Sequence, residues 1–290
     1  MDSFYLQVFF GGLTMGAIYA MVALGFTVFY NATGIINFAQ GEFVMLGALV
    51  AVGFRSNFGF PMGLALALSI LVVTAIGLLM YKILILPLKS RDVLVIILMT
   101  LSASYMFRGS AVVLWGKDPL PLASPWGSKS IVLLGASILP QAVWILVVVF
   151  VGVLLLSLFF ERNFYGKALR ASAENREAAT LVGINVEMMV LLSFGLAAAL
   201  GAIGGILVAP ITSMDAEAGI GLAIKGMVAA ILGGLDRISG AVVGAITLGL
   251  LEAYSAVFVS SLIKDGIALF ILLAVLLVRP SGLLGKQGSR

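Results

Sequence analysis

Residues 7–30 read QVFFGGLTMGAIYAMVALGFTVFY, and none of their side chains is charged. A helix of roughly 20 apolar residues, rising about 1.5 Å per residue, spans the hydrocarbon core of a bilayer. Similar runs recur throughout the chain, of which 62% is hydrophobic and only 10% charged, whereas soluble domains carry about 25% charged residues. The runs are continuous and lack the alternation of barrel strands. The sequence therefore predicts an all-α, polytopic transmembrane helical bundle.

Nine segments are candidate spans, and we expect eight or nine of them to cross the membrane within a single domain, residues 1–290. The second contains Glu42, and the seventh is short, glycine-rich and contains Lys225, so either could be broken or re-entrant. No basic stretch precedes the first run, so we expect it to remain a span rather than to be cleaved as a signal peptide. The segments are 7–30, 35–54, 61–83, 93–114, 140–160, 189–210, 219–235, 240–259 and 262–278.

Basic residues predict the orientation. They cluster after the third span, after the fifth span and at the C-terminus, and nine crossings would place all three clusters on one side, which the positive-inside rule makes cytoplasmic. The N-terminus, the loop 116–139 and the segment around Asp215 would then be external, and 130–138 in that loop carries a weak signal for a strand pair. The clusters are Lys82, Lys89 and Arg91; Arg162, Lys167, Arg170 and Arg176; and Arg279, Lys286 and Arg290.

Several kinds of chemistry are excluded by what the sequence lacks. Without cysteine or histidine there is no disulfide, thiolate metal site or imidazole chemistry. The chain contains no G-x-x-x-x-G-K-[ST] motif for nucleotide binding and no TVGYG-like potassium filter. It also contains no pair of carboxylates in a catalytic context. The net charge of +4 is that of a membrane protein with basic loops, so no nucleic-acid partner is expected. We expect neither enzymatic activity nor a cofactor bound by this chain.

The loop 161–187, ERNFYGKALRASAENREAATLVGINVE, is the most highly charged part of the chain. Its alanines and charges predict one or two short surface helices, ended at Gly183 or Asn185. A connector needs only a few residues, so two interpretations stay open: a solvated connector, or a docking element for a cytoplasmic partner. In the second case, small residues such as Ala178 and Ala179 would let a helix sit deep in a partner's groove, with the charges setting its register.

A second segment, 31–47, reads NATGIINFAQGEFVMLG and places Asn37, Gln40 and Glu42 where the second span should begin. An ionisable group inside a span by default marks a functional site. Glu42 could instead lie in water at the interface and cap a helix. A broken helix start would present N–H groups and a positive dipole end to a pathway, which suits a solute carrying a carboxylate.

The third segment, 219–249, carries glycines that permit close helix approach. Asp236 and Arg237 are expected to pair in water at a turn, and Lys225 to extend to the interface. Arg108 and Glu252 are further charges inside spans, and their opposite signs alone allow a pair between them.

Four stretches, in order, resemble one known family. They are residues 11–48 (GGLTMGAIYAMVALGFTVFYNATGIINFAQGEFVMLGA), 166–185 (GKALRASAENREAATLVGIN), 225–252 (KGMVAAILGGLDRISGAVVGAITLGLLE) and 279–285 (RPSGLLG). Along nearly its whole length the chain resembles a permease subunit of the branched-chain amino acid ABC importers, the one of the two paralogous permeases with the shorter chain.

The resemblance implies an assembly in a bacterial inner membrane: a homologous second permease, two cytoplasmic ATPases that use ATP and Mg, and an external solute-binding protein. It leaves homodimeric or heterodimeric pairing of the permease open. It places ATPase coupling on 161–187 and the substrate pathway on the opening motif. Many relatives have histidine where this chain has Gln40, which argues against protonation there. The coupling residues implied are Glu174, Asn175, Arg176, Ala178, Ala179 and Gly183, and the pathway residues are Asn37, Gln40, Gly41 and Glu42.

The implied mechanism is alternating access driven by the ATPases, with branched-chain or other neutral amino acids as solute. Relatives of this type also handle urea or short amides. Two rival classes are a self-sufficient secondary transporter or channel, using Glu42, Lys225 or Glu252 for a proton or ion, and a scaffold subunit without a pathway.

Overall fold

A computed structural model describes residues 2–88, 92–127, 129–133, 135–259, 264–279 and 281–285. Four predicted basic-cluster residues, Lys89, Arg91, Lys286 and Arg290, lie outside these ranges, as does the predicted start of the ninth span. The elements are α1 (Asp2–Thr33), α2 (Gln40–Ser56), α3 (Met62–Met80) with a π-helical turn (Tyr81–Ile85), α4 (Val93–Trp115), β1 (Ile131–Leu133), β2 (Ala136–Ile138), α5 (Pro140–Arg162), α6 (Phe164–Glu174), α7 (Arg176–Leu181), α8 (Val186–Val208), α9 (Ala218–Gly233), α10 (Ile238–Phe258) and α11 (Lys264–Val278).

One end of the bundle, here called the hairpin face, carries the start of α1 and the antiparallel pair β1–β2. The side chain of Gln7 donates to the carbonyl of Ser137 and accepts from its N–H group, both at 2.8 Å. Leu120 and Met214 exchange backbone hydrogen bonds, which ties the 116–139 loop to the α8–α9 connection. The predicted strand pair within 130–138 is therefore confirmed.

The opposite end, here called the basic face, carries the ends of α1, α3 and α5, the helices α6 and α7, and the α9–α10 turn. The backbone of Leu283 donates to the carbonyl of Leu232, which brings the chain after α11 to the same end. The basic residues expected to share one side therefore do so wherever they are described. They are Lys82, Arg162, Lys167, Arg170, Arg176 and Arg279.

Helices α1 and α8 form the centre of the bundle. In their most apolar stretches 67% and 72% of residues are buried, whereas the corresponding share in α3, α4 and α5 is 22%. The outer three helices expose aliphatic and aromatic side chains such as Leu71, Val113 and Phe150. A soluble protein does not leave apolar surface of this extent uncovered, so these faces are those of a membrane protein.

The predicted all-α polytopic architecture is confirmed. Among the described residues, six helices are long and apolar enough to cross a membrane: α1, α3 with its π turn, α4, α5, α8 and α10. The described parts of α2, α9 and α11 are shorter, with 17, 16 and 15 residues. Six helices of this length do not confirm eight or nine crossings, so the number of crossings stays a prediction.

Close packing of α2 on α8 depends on glycine. A Cβ atom at Gly205 would overlap the carbonyl group of Val44, and one at Gly47 would overlap the backbone of Ala202. Because backbone rather than a flexible side chain occupies the space, the two helices would have to separate to admit a methyl group.

We therefore expect Gly205→Ala to lower the free energy of unfolding in detergent by about 1–3 kcal/mol, since added volume here forces backbone apart. Gly221→Ala is the matched control, because no heavy atom lies within 4 Å of the Cβ position at Gly221. That control should be neutral or stabilising by up to about 1 kcal/mol. Equal unfolding curves for the two variants, measured by denaturant titration, would contradict the packing described.

Candidate functional site

Helix α2 begins in the interior of the bundle, not at an end. The side-chain amide of Gln40 donates to the carbonyl of Ala197, in the middle of α8, at 3.0 Å. The N–H group of Phe38 donates to the hydroxyl of Thr100, near the middle of α4, at 3.3 Å. Residues 34–39 therefore return from the basic face to mid-bundle without helical structure. The segment predicted as the second span is broken at its start, as one interpretation of the sequence expected.

Asn37 holds this buried turn together. Its side chain is fully buried, and its Oδ1 accepts from the N–H group of Ala39 at 3.0 Å. No side chain caps α2 itself. Gly41, in the first turn of α2, packs directly on Gly219 in the first turn of α9, and neither has room for a Cβ atom. Non-helical backbone at membrane depth is tolerated only where protein or a cavity surrounds it. Here residues 35–39 are buried or half-buried against protein, and Phe38 also borders a cavity.

Glu42 lies beside this break and joins α2 to α4. Its Oε1 accepts from the hydroxyl of Ser104 at 2.7 Å and from Nη2 of Arg108 at 3.2 Å. The same Nη2 donates to Ser104 at 3.0 Å, and the guanidinium lies 5.1 Å from the centroid of the Tyr105 ring. Glu42 is only 2% exposed, so the interpretation of an interfacial carboxylate in water is wrong.

A second charge cluster joins α1, α9 and α10. Nζ of Lys225 donates to Oε1 of Glu252 at 2.5 Å, and the Tyr19 hydroxyl donates to Oε2 at 2.7 Å. The predicted extension of Lys225 to the interface is wrong, because a carboxylate one helix away stabilises the ammonium group within the bundle. The Arg108–Glu252 pair that opposite charges allowed is also wrong, because Arg108 pairs with Glu42 and Glu252 pairs with Lys225. The pair Asp236–Arg237 is confirmed as partly exposed, at 3.9 Å.

A cavity of about 270 Å³ lies between α2, α4 and α9. Its polar lining includes Glu42, Ser104, Tyr105 and Arg108, and its apolar lining includes Phe26, Leu101, Ile220, Ile224 and Met227. The predicted pathway residue Glu42 therefore borders open space, while Asn37, Gln40 and Gly41 fix the helix break next to it.

The predicted coupling segment forms two helices on the basic face. Asn175 ends α6 and caps α7, its Oδ1 accepting from the N–H group of Ala178 at 2.9 Å. Gly183 ends α7 with a φ of +87°, a backbone conformation that favours glycine. The N–H groups of Gly183 and Ile184 donate to the carbonyls of Thr180 and Ala179 at 3.0 and 2.9 Å, which is a Schellman turn.

This turn presents an apolar tip, Leu181 and Val182, which are 88% and 77% exposed. Of the predicted coupling residues, Ala178 and Glu174 are exposed beside the tip, whereas Ala179 is buried. Two adjacent exposed aliphatic residues that project from a turn form a candidate contact for a binding partner or for lipid.

Sequence reasoning missed three groups of residues at the candidate sites. Arg108 and Ser104 were not connected to Glu42, because their contact joins positions 62 and 66 residues apart. Tyr19 gave no signal within an apolar run. The tip residues Leu181 and Val182 did carry a signal, a pair of aliphatic residues inside the most charged loop.

Comparison with known proteins gives a family and several relatives. The sequence model of the family described as "Branched-chain amino acid transport system / permease component" matches residues 8–277. The chain is 30% identical to the high-affinity branched-chain amino acid transport system permease protein LivH of Escherichia coli K12, over 98% of this chain and 96% of that protein. It is 35% identical to the corresponding permease BraD of Pseudomonas aeruginosa, over 97% and 96%. No solved structure matches.

The Lys225–Glu252–Tyr19 cluster can be tested as a structural element. Tyr19→Phe leaves Oε2 of Glu252 without this donor inside the bundle, and we expect it to lower the unfolding free energy by about 1–3 kcal/mol. Tyr254→Phe, on α10, is the matched control, since the Tyr254 hydroxyl has no hydrogen-bond partner among the described residues. Thermal unfolding of both variants in the same detergent measures the difference; a Tyr19→Phe variant as stable as the control would count against the cluster.

Proposed function

The chain belongs to the permease-component family of branched-chain amino acid transport systems, and from this membership we propose that it is the membrane-spanning permease subunit of an ATP-driven importer for branched-chain or other neutral amino acids. The observation that carries the proposal is the combination of a helix break at mid-bundle with an apolar tip on the basic face. The first provides a place for solute, and the second a place to receive force from a separate motor protein.

We propose nine crossings, with the hairpin face external and the basic face cytoplasmic, in a bacterial inner membrane. The alternation of helix direction supports this, since α1 starts at the hairpin face and α11 ends at the basic face. Lysine and arginine concentrate at the end that carries α6 and α7, as expected for a cytoplasmic end. In this arrangement α2 and α9 are the shortened spans, and they lie against each other at their first turns.

The partners proposed are a homologous second permease, two cytoplasmic ATPases and an external solute-binding protein. ATP and Mg are bound by the ATPases. The tip Leu181–Val182 fits a hydrophobic groove on an ATPase, with Glu174, Asn175, Arg176 and Ala178 beside it to fix the register. Gly183 contributes by its backbone conformation, which turns the chain and leaves the tip projecting.

The proposed mechanism is alternating access around the break at 34–42. A ligand or a motor shifts an equilibrium only through contacts that differ between two states. Movement of α6 and α7 is transmitted through α8, which begins after the tip and accepts the Gln40 hydrogen bond at its middle. Displacement of α8 therefore acts on the start of α2, where Asn37, Gln40, Gly41 and Glu42 lie.

Energy coupling separates this proposal from a secondary transporter. In proteoliposomes containing the complete assembly, leucine uptake should require ATP on the ATPase side and should be unchanged when an ionophore collapses the proton gradient. Uptake that persists without ATP and stops with the gradient would favour a secondary transporter. Competition by excess urea or acetamide against labelled leucine tests the family's other solute classes, and we expect none.

The tip is tested by the double variant Leu181→Ala with Val182→Ala. We expect it to fold, since both side chains project from the bundle, but to lower stimulation of ATP hydrolysis by solute-loaded binding protein at least tenfold. Leu155→Ala, 60% exposed on the outer face of α5, is the matched control and should retain stimulation. Full stimulation in the double variant would contradict docking at the tip.

A further inference from the structure

We infer that the cavity between α2, α4 and α9 binds the zwitterion of an aliphatic α-amino acid, with Arg108 receiving its carboxylate and Glu42 its ammonium group. The inference rests on the proposed function and deepens it, because it names the place where this chain itself recognises solute. It follows from unmet hydrogen-bonding capacity, from a comparison within the same molecule, and from the shape and lining of the cavity.

Glu42 and Arg108 form an ion pair, but each side chain retains a polar atom without a hydrogen bond. A single Nη2 of Arg108 contacts a single oxygen of Glu42, at 3.2 Å, although a guanidinium and a carboxylate can form two parallel hydrogen bonds. Oε2 of Glu42 and Nε of Arg108 are both buried without a hydrogen-bond partner among the described residues. Buried polar atoms in folded proteins are almost always hydrogen-bonded, so exceptions of this kind need an explanation.

The second charge cluster provides the comparison. Both oxygens of Glu252 are occupied, one by Lys225 and one by Tyr19. An ion pair between helices of this chain is therefore complete at this second cluster. The pair Glu42–Arg108 is left incomplete, and both of its members line a cavity. A carboxylate inside the membrane beside a cavity marks a candidate binding site, and its second oxygen is buried here without a hydrogen bond.

The cavity suits a small amphipathic solute. Its volume of about 270 Å³ greatly exceeds the space of about 30 Å³ that one water occupies. Aliphatic and aromatic side chains, among them Leu101, Ile220 and Met227, form most of its wall. The polar groups of Glu42, Ser104 and Arg108 contact one another. Apolar walls with a few convergent polar groups are typical of small-molecule sites.

An α-amino acid carries its two opposite charges close together, on either side of one carbon. A cation and an anion held equally close can receive both, and Arg108 and Glu42 are in hydrogen-bond contact. The aliphatic side chain would then lie against the apolar wall. Lipid is the alternative occupant, since Tyr105 and Ile224 line the cavity and are 69% and 47% exposed at the surface of this chain. An acyl chain would leave both charges unmatched, which favours the amino acid.

The experiment measures equilibrium binding of radiolabelled leucine to the complete transporter in nanodiscs, without the solute-binding protein. Leucinamide lacks the carboxylate and N-acetylleucine lacks the ammonium group, so each should compete at least tenfold less well than leucine. Arg108→Gln should weaken leucine at least tenfold and abolish discrimination against leucinamide. Glu42→Gln should also weaken leucine at least tenfold, and it should abolish discrimination against N-acetylleucine. Glu252→Gln, which removes a charge from the other cluster, should leave both discrimination ratios unchanged.

Ile224→Trp tests the site independently of the charge variants, so it remains informative if one of those fails to assemble. It fills the cavity mouth without altering the charged pair. We expect it to weaken leucine binding at least tenfold. Unchanged ratios in both charge variants, or unchanged affinity in Ile224→Trp, would overturn the inference. The inference would also be overturned if leucine did not bind and native mass spectrometry showed a phospholipid that the wild type retains and Ile224→Trp loses. ATP-driven leucine uptake by the wild type distinguishes failure of this inference from failure of the proposed function. If uptake occurs but the discrimination ratios are unchanged in the variants, only this binding site is refuted. If no uptake occurs, the proposed function is refuted.

Discussion

Backbone N–H and C=O groups inside a membrane have no water to bond to, and this constraint governs the arrangement around residues 34–42. The chain leaves its helical conformation after Thr33 and resumes it at Gln40, deep within the bundle. Each polar group in the gap needs a partner from a neighbouring element. Thr100 of α4 accepts from the N–H group of Phe38, and the Asn37 side chain within the gap accepts from that of Ala39. The carbonyl of Ala197 in α8 accepts from the Gln40 side chain at the start of α2. Helices α4 and α8 therefore have to lie where they do for α2 to begin there.

The break has consequences for the electrostatics of the bundle. It brings Glu42 to the middle of α4, where Ser104 and Arg108 can reach it, and the first turn of α2 against that of α9. Glycines make the second contact possible, because Gly41 and Gly219 have no side chain to hold the helices apart. The open space that remains between α2, α4 and α9 is bounded by this same set of contacts. The helix break, the incomplete ion pair and the cavity are thus one structural unit.

The coupling segment is linked to that unit through α8. Asn185 caps α8 with a hydrogen bond from the N–H group of Met188, directly after the Schellman turn at Gly183. The middle of the same helix accepts the hydrogen bond from Gln40, and its next turns pack on α2 where Gly47 and Gly205 leave no room for side chains. A rigid, centrally buried helix with both contacts is suited to carry motion from the basic face to the proposed solute site.

Composition and the apolar runs determined the membrane environment, the helical class and the side on which the basic residues gather, because those properties depend on what a bilayer accepts along a continuous stretch of chain. The charged loop at 161–187 and the glutamate at position 42 could also be identified as exceptions from the sequence alone, as could the family. Tertiary structure alone decided which charges meet: Arg108 with Glu42, and Lys225 with Glu252. Opposite sign allowed several pairings, and only the packing of helices distant in sequence, set by glycine contacts and a helix that begins at mid-bundle, determines which pairs form and which one is left incomplete.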